Sequence, residues 1–226
     1  MKNWWWKILS CVLLIYVFIT GLICDVPALN ILNESIRNLF FHVPLWFAMT
    51  FLLIIATIYS IKYLSKENIK FDIIANSCIE TAILFGVLGF LSGMQWAKAT
   101  WGGWLPPDIK IIGASISLIF YFAYMILRRS IDQEGKRARI AAVYNIIACT
   151  LMIMFIYVLP RIKGADSLHP GSGGNPGFST YDLDSGLRLI FYPSVIGWIL
   201  FSLWIANLKI RLTILKRKSV MRKMSI

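Results

Sequence analysis

Six stretches of nearly unbroken apolar sequence, near residues 5–24, 43–61, 73–95, 109–127, 139–159 and 187–208, govern what this chain can fold into. Each is about 20 residues long, the length an α-helix needs to cross the hydrocarbon core of a bilayer. Composition points the same way: of 226 residues, 58% are hydrophobic and 15% charged, and the mean hydropathy is +0.69. A water-soluble domain carries about 45–50% apolar and about 25% charged residues, so the surplus needs lipid as its solvent. The sequence therefore predicts an all-α integral membrane protein, a single six-helix domain over residues 1–226 that ends in a basic tail, 209–226. It shows no internal repeat and no soluble domain. The first stretch opens with Trp4-Trp5-Trp6, suited to the headgroup level. It lacks a small-residue cleavage site before Asp25, so it is expected to stay as a helix. Gly86, Gly89 and Gly93 in the third stretch are spaced for close helix–helix approach.

Lysine and arginine select the orientation. Lys2 and Lys7, then Lys62, Lys66 and Lys70 in the second connection, fall on one side. Arg128, Arg129, Lys136, Arg137 and Arg139 in the fourth connection join them, as do Lys209, Arg211, Lys216, Arg217, Lys218, Arg222 and Lys223 in the tail. That is seventeen of the 23 basic residues. By the positive-inside rule this side is cytoplasmic, with both termini in. The formal charge of +12 is then expected to face anionic lipid, and nucleic acid is not expected as a partner. Cys11, Cys24, Cys78 and Cys149 all lie in apolar runs without a C-x-x-C spacing, and they read as buried thiols.

The opposite side gathers the chemistry. His42 stands at the mouth of the second span, in Arg37-Asn38-Leu39-Phe40-Phe41-His42-Val43-Pro44, and His169 in the last outer loop, in Ser167-Leu168-His169-Pro170. Between them in the chain lies Trp96-Ala97-Lys98-Ala99-Thr100-Trp101-Gly102-Gly103-Trp104-Leu105-Pro106-Pro107-Asp108. Haem suits such a set, because its iron takes two axial imidazoles and its porphyrin lies well against tryptophan rings. Gly102 and Gly103 admit a flat ligand close to the backbone, and Arg37 and Arg188 can pair with propionates. Each residue also has an ordinary reading. Tryptophans at an interface form a belt, Asp108 can cap the fourth helix, and the two arginines can be snorkelling anchors. A short helix capped by Asn33 is expected to lie in the interface, with Ile36, Leu39 and Phe40 on one face and Arg37 pointing away.

Other chemistry has less support. Glu80 is the one acid well inside a span, and a structural pairing with Arg128 or Arg137 is expected over an ion-coupling role. The segment Gly171-Ser172-Gly173-Gly174-Asn175-Pro176-Gly177 is polar and glycine-rich, but it lacks the context of a phosphate-binding loop. Asp166, Asp182 and Asp184 give no ligand spacing for a bare metal ion. No nucleophile–base pair and no acid pair is placed for hydrolysis, so the chain is not expected to be a conventional enzyme.

At these residues the sequence resembles the CcmC family, the haem-handling membrane proteins of cytochrome c maturation with a tryptophan-rich loop. The likeness covers nearly the whole chain. It rests on six spans, the Arg-x-x-x-x-His-Val-Pro stretch (Arg37, His42, Val43, Pro44), the tryptophan loop between spans three and four, and Leu168-His169 followed by Arg188 at the last span. The resemblance implies His42 and His169 as axial ligands of haem b, and Trp101, Gly102, Gly103, Trp104 and Asp108 as its platform, with Trp96 just upstream. The family loop is close to Trp-Gly-x-Trp-Trp-x-Trp-Asp. Leu105 and Pro107 stand where two of those tryptophans would, and stacking area is lost there. The resemblance further implies the bacterial inner membrane, with the site on the periplasmic face. As partners it implies a periplasmic haem chaperone of the CcmE type, ABC-transporter subunits of the CcmA and CcmB type, and a small CcmD-type membrane subunit. Two other functions stay open: a quinol-linked oxidoreductase with b-type haem, against which stands the absence of histidine from the cytoplasmic half, and a secondary transporter using Glu80.

Overall fold

The computed structural model describes residues 4–27, 32–162, 167, 183 and 185–224. Six helices follow in order: α1 (Trp5–Ile23), α2 (Leu39–Lys66), α3 (Ile69–Trp101), α4 (Ile109–Arg129), α5 (Glu134–Ile153) and α6 (Ser185–Met224). All six are long and apolar enough to cross a membrane, and no strand occurs among the described residues. Most of the helices outrun the predicted apolar stretches, α1 being the exception. α2 continues to Lys66 and α6 to Met224, so the basic residues from 209 onward extend a helix. The connections after α1, α3 and α5 lie at one end of the bundle, here the His42 end. Those after α2 and α4 lie at the other, the basic end.

α2 and α3 are the most buried helices and form the centre. Their connection is only Glu67-Asn68. Glu67 takes a left-handed conformation, φ 50°, as the C-cap of α2, and the Asn68 side chain accepts from the Lys70 amide at 3.0 Å to start α3. This tight turn sets the antiparallel register. Met49, Trp46 and His42 of α2 then face Gly86, Gly89 and Gly93 of α3, each pair equidistant from the turn. A Cβ on those glycines would come within 2.5 Å of Met49 Sδ, 3.0 Å of Trp46 Nε1 and 2.6 Å of His42 Cε1. The expected role of the three glycines in close helix approach is thus met. α6 packs on α1, α2 and α3, α5 on α2 and α4, and α1 is the most exposed helix.

Prolines inside α2 and α6 remove the N–H that would bond to the carbonyl four residues earlier. Neighbouring helices supply donors instead, as lipid cannot. Ser194 Oγ of α6 donates to the Phe40 carbonyl left by Pro44, at 2.5 Å, and Tyr16 Oη of α1 donates to the Leu189 carbonyl left by Pro193, at 3.3 Å. In the helix that begins as α5, Pro160 has a related effect. The chain widens to a π-turn over Met154–Val158 and then tightens to a 3₁₀ turn over Leu159–Arg161. The wide turn brings the Phe155 carbonyl onto α4 at Gly113, where a Cβ would sit 2.5 Å from its oxygen.

Several expectations need correction. Cys78 and Cys149 are buried, but Cys11 and Cys24 are exposed, because α1 turns most of its surface outward. Glu80 pairs with neither Arg128 nor Arg137. Its carboxylate accepts from Lys209 Nζ of α6 at 2.6 Å and from Asn76 Nδ2 at 2.9 Å, while Arg128 makes a two-pronged pair with the buried Asp72, at 2.8 and 2.5 Å. The short helix before α2 is a 3₁₀ turn over Asn33–Asn38 that runs straight into α2. Its cap residue is Leu32, with no side-chain cap bond. Ile36, Leu39 and Phe40 are buried together as expected. Arg37 instead folds inward. It pairs with Glu34 at 2.6 Å and donates to the carbonyls of Gly21 at 3.2 Å and Cys24 at 2.5 Å, which lie at the C-terminal end of α1 where helix carbonyls lack internal partners.

Candidate functional site

His42 sits one turn into α2, buried at 9% exposure, with its ring against α3. Nδ1 lies 2.9 Å from the Gly89 carbonyl and 3.1 Å from Ser92 Oγ. A carbonyl oxygen only accepts, so the first contact requires the proton on Nδ1. Ser92 Oγ in turn donates to the same carbonyl at 2.9 Å, leaving a lone pair toward the imidazole N–H. The lone pair of the neutral ring is then on Nε2. This is the arrangement of metal-ligating histidines, whose second nitrogen donates to a carbonyl or carboxylate. The donor chemistry at His42 therefore fits an iron ligand.

Two indoles border the ring edge to face: Trp46, one turn along α2, with centroids 6.5 Å apart, and Trp96 of α3 at 5.9 Å. Trp96 is buried in an apolar cluster with Leu32, Ile36, Leu39, Phe40, Leu187 and Phe191, and its indole N–H donates to Ser35 Oγ at 3.1 Å. It walls the histidine and is not part of an open platform.

The loop after α3 is exposed. Trp101 ends the helix, half-buried, and Gly102 takes φ 77°, which stops α3 in the left-handed region that glycine adopts without strain. Lys98 Nζ caps the Gly102 carbonyl at 2.8 Å. Trp104 and Leu105 are each 55% exposed, so Leu105 offers apolar surface where a further ring is missing. Gly103 is half-buried, and a Cβ there would touch only Pro106, at 3.9 Å. Asp108 is 1% exposed and caps α4 by accepting from the amides of Lys110 at 2.8 Å and Ile111 at 3.3 Å. The capping role expected for it is met. Its other oxygen accepts from Ser167 Oγ at 2.8 Å, which ties the end of the tryptophan loop to the segment leading toward residue 169.

His169 itself lies outside the described residues, as does the glycine-rich 171–177 segment. Leu183, at the far end of that connection, is 2% exposed in the cluster around Trp96, and Arg188 Nε donates to its carbonyl at 2.9 Å. The described part of the site thus gathers His42 with Trp46 and Trp96. The exposed Trp104 stands on the loop that leads to Asp108, and Arg37 is bound to α1. Sequence reasoning missed Ser92, Ser35, Trp46 and Ser167. Only the Gly89–Gly93 spacing hinted that something large would press on that face of α3. Among the described residues no three His, Cys, Asp or Glu side chains cluster as a bare metal site.

Fold and site together define a polytopic helical membrane protein with a buried, carbonyl-held histidine and an exposed tryptophan loop at one end. A family model described as "Heme exporter protein C" matches residues 1–225, and the chain belongs to that family. Among curated proteins it is similar to the "Heme exporter protein C" of Bradyrhizobium diazoefficiens, 27% identical over 116 residues, 51% of this chain and 44% of the relative. It is also similar to proteins named "Cytochrome c biogenesis protein CcsA" from two Prochlorococcus marinus strains. One is 32% identical over 94 residues (40% of this chain, 30% of the relative), the other 30% identical over 100 residues (43% and 32%). The chain spans less than half the length of these relatives.

Proposed function

We propose that this protein handles haem in cytochrome c biogenesis, holding haem b at the outer face of the bacterial inner membrane for transfer to a periplasmic haem chaperone of the CcmE type. The observation that carries the reading is His42: a buried imidazole whose Nδ1–H is taken by a backbone carbonyl, which leaves Nε2 as the donor nitrogen. Family membership and the names of the relatives support the same cargo. His169 is proposed as the second axial ligand. In support, Ser167, two residues before it in the chain, is tied to Asp108 beside the tryptophan loop.

In this reading Trp101, Gly102, Gly103 and Trp104 offer the porphyrin an apolar face, and Asp108 braces that loop. Arg188 is proposed for a propionate, and Arg37 for the other once it leaves the α1 carbonyls. Orientation follows the basic residues, with both termini and the basic end cytoplasmic. The protein would act as a carrier platform and not as a catalyst, as part of a single six-helix domain. Its partners would be the chaperone, ABC-transporter subunits of the CcmA and CcmB type and a small CcmD-type subunit.

The test is the absorption spectrum of the purified protein and of His42→Ala and His169→Ala. A Soret band in the wild type that is lost or shifted in both variants is the expected result. A wild-type protein that stays haem-free when co-produced with excess haem and the chaperone would sink the proposal. Rapid reduction of the bound haem by added quinol would favour an oxidoreductase instead.

A further inference from the structure

We infer that the Gly89–Gly93 face of α3 is a positioning seat that holds His42 in one tautomer and one orientation. The inference rests on the haem reading for its purpose, but not for its geometry. The Gly89 carbonyl and the Ser92 hydroxyl both lie within hydrogen-bond distance of Nδ1, at 2.9 and 3.1 Å. A Cβ at Gly93 would lie 2.6 Å from Cε1, 3.3 Å from Nδ1 and 3.4 Å from Nε2. The whole Nδ1–Cε1–Nε2 edge therefore lies along the helix at a position where no side chain stands.

A methyl group at Gly93 would force the ring back by roughly 0.8 Å to reach ordinary contact at 3.4 Å. A retreat of that size stretches the 2.9 Å bond to the Gly89 carbonyl by up to the same amount and weakens it. Trp46 and Trp96 stand edge to face beside the ring and limit where it can go. With that bond weakened, the imidazole can carry its proton on either nitrogen, and the form protonated on Nε2 offers iron no lone pair there. The seat thus turns a backbone carbonyl and a missing side chain into a choice of ligand atom. Ser92 strengthens it by offering the same N–H a second acceptor.

The first experiment needs no haem. The chain has two histidines, so histidine-selective ¹⁵N labelling gives two imidazoles, and His169→Ala assigns the His42 pair. The expected wild-type signals for His42 are a protonated Nδ1 and an unprotonated Nε2; a ring protonated mainly on Nε2 overturns the inference. Gly93→Ala is expected to mix the tautomers. Gly86→Ala is the control for crowding, since its Cβ would press Met49 Sδ at 2.5 Å, away from His42. An equal change in both variants, or none in Gly93→Ala, also overturns the inference.

The second experiment titrates haem into the wild type, Gly93→Ala and Ser92→Ala. Loss of an outer partner typically weakens metal binding about 10–100-fold. The expectation is a loss in that range for Gly93→Ala, with a smaller loss and a shifted haem potential for Ser92→Ala, which is the variant to rely on if Gly93→Ala fails to fold. Unchanged haem affinity and potential in Ser92→Ala and a folded Gly93→Ala would overturn the inference. If the wild type binds no haem, the haem reading fails while the tautomer result still decides the seat.

Discussion

Ser194→Ala tests whether α2 tolerates its proline because α6 lends it a donor. Pro44 has no N–H for the Phe40 carbonyl, and Ser194 Oγ supplies one at 2.5 Å, with both residues fully buried. Removing the hydroxyl leaves a buried carbonyl short of a partner, which costs about 1–3 kcal/mol in water-soluble proteins. Interhelical hydrogen bonds in a membrane protein average about 0.6 and reach about 1.7 kcal/mol. This bond is short and dry, so the expected loss is near the top of that range, about 1.5 kcal/mol. Pro44→Ala restores the helix's own N–H, and in that background Ser194→Ala should cost far less. The assay is a double-mutant cycle by SDS-driven unfolding in mixed micelles, with a coupling of about 1 kcal/mol expected. Costs that simply add, to within about 0.5 kcal/mol, would refute the reasoning.

Gly113→Ala should destabilise the bundle by about 1–3 kcal/mol, because its methyl meets the Phe155 carbonyl at 2.5 Å. Gly135→Ala, with nothing within 4 Å, should stabilise it by about 0.4–1 kcal/mol; the same unfolding assay compares them. At the basic end, Arg217 holds the Glu134 carboxyl below its ordinary range, chiefly through their hydrogen bond. A depressed carboxyl pKa gives stability that is present above the ordinary carboxylate range and lost as pH falls through the folded value. The stability curves of the wild type and Arg217→Ala should therefore differ at neutral pH and converge in acid. Cys24 is exposed at the end of α1 whereas Cys78 and Cys149 are buried. A membrane-impermeant maleimide added to intact spheroplasts should label Cys24, and labelling only after lysis would reverse the proposed orientation.

Hydropathy made the six spans legible because lipid imposes one requirement on every residue of a crossing helix. It does not mark where a helix ends once it leaves the lipid. Lys, Arg, Leu and Met are all good helix formers, so α6 runs on to Met224 through residues that read as a tail. Partners across the bundle were the other blind spot. The spacing of Ile36, Leu39 and Phe40 marked the buried face correctly, yet Arg37 turns inward because the end of α1 needs donors, a need written in another helix. Glu80 likewise found Lys209, more than a hundred residues away, where neighbouring connections had suggested an arginine.

The candidate site shows the same limit and a way past it. His42 and the tryptophans were visible as residue types, and Gly86, Gly89 and Gly93 were visible as a stripe of small residues. Nothing local says which helix fills such a stripe. The turn does: Glu67-Asn68 is too short to allow slack between α2 and α3, so residues equidistant from it must meet. Counting outward from it pairs each glycine with a bulky side chain of α2, Gly86 with Met49, Gly89 with Trp46 and Gly93 with His42. Because both helices hold one register along their length, the packing that fits Met49 into the core also brings the imidazole onto the Gly89 carbonyl at the far end. The orientation of the candidate ligand is thus a consequence of the register that the Glu67-Asn68 turn sets between the two helices.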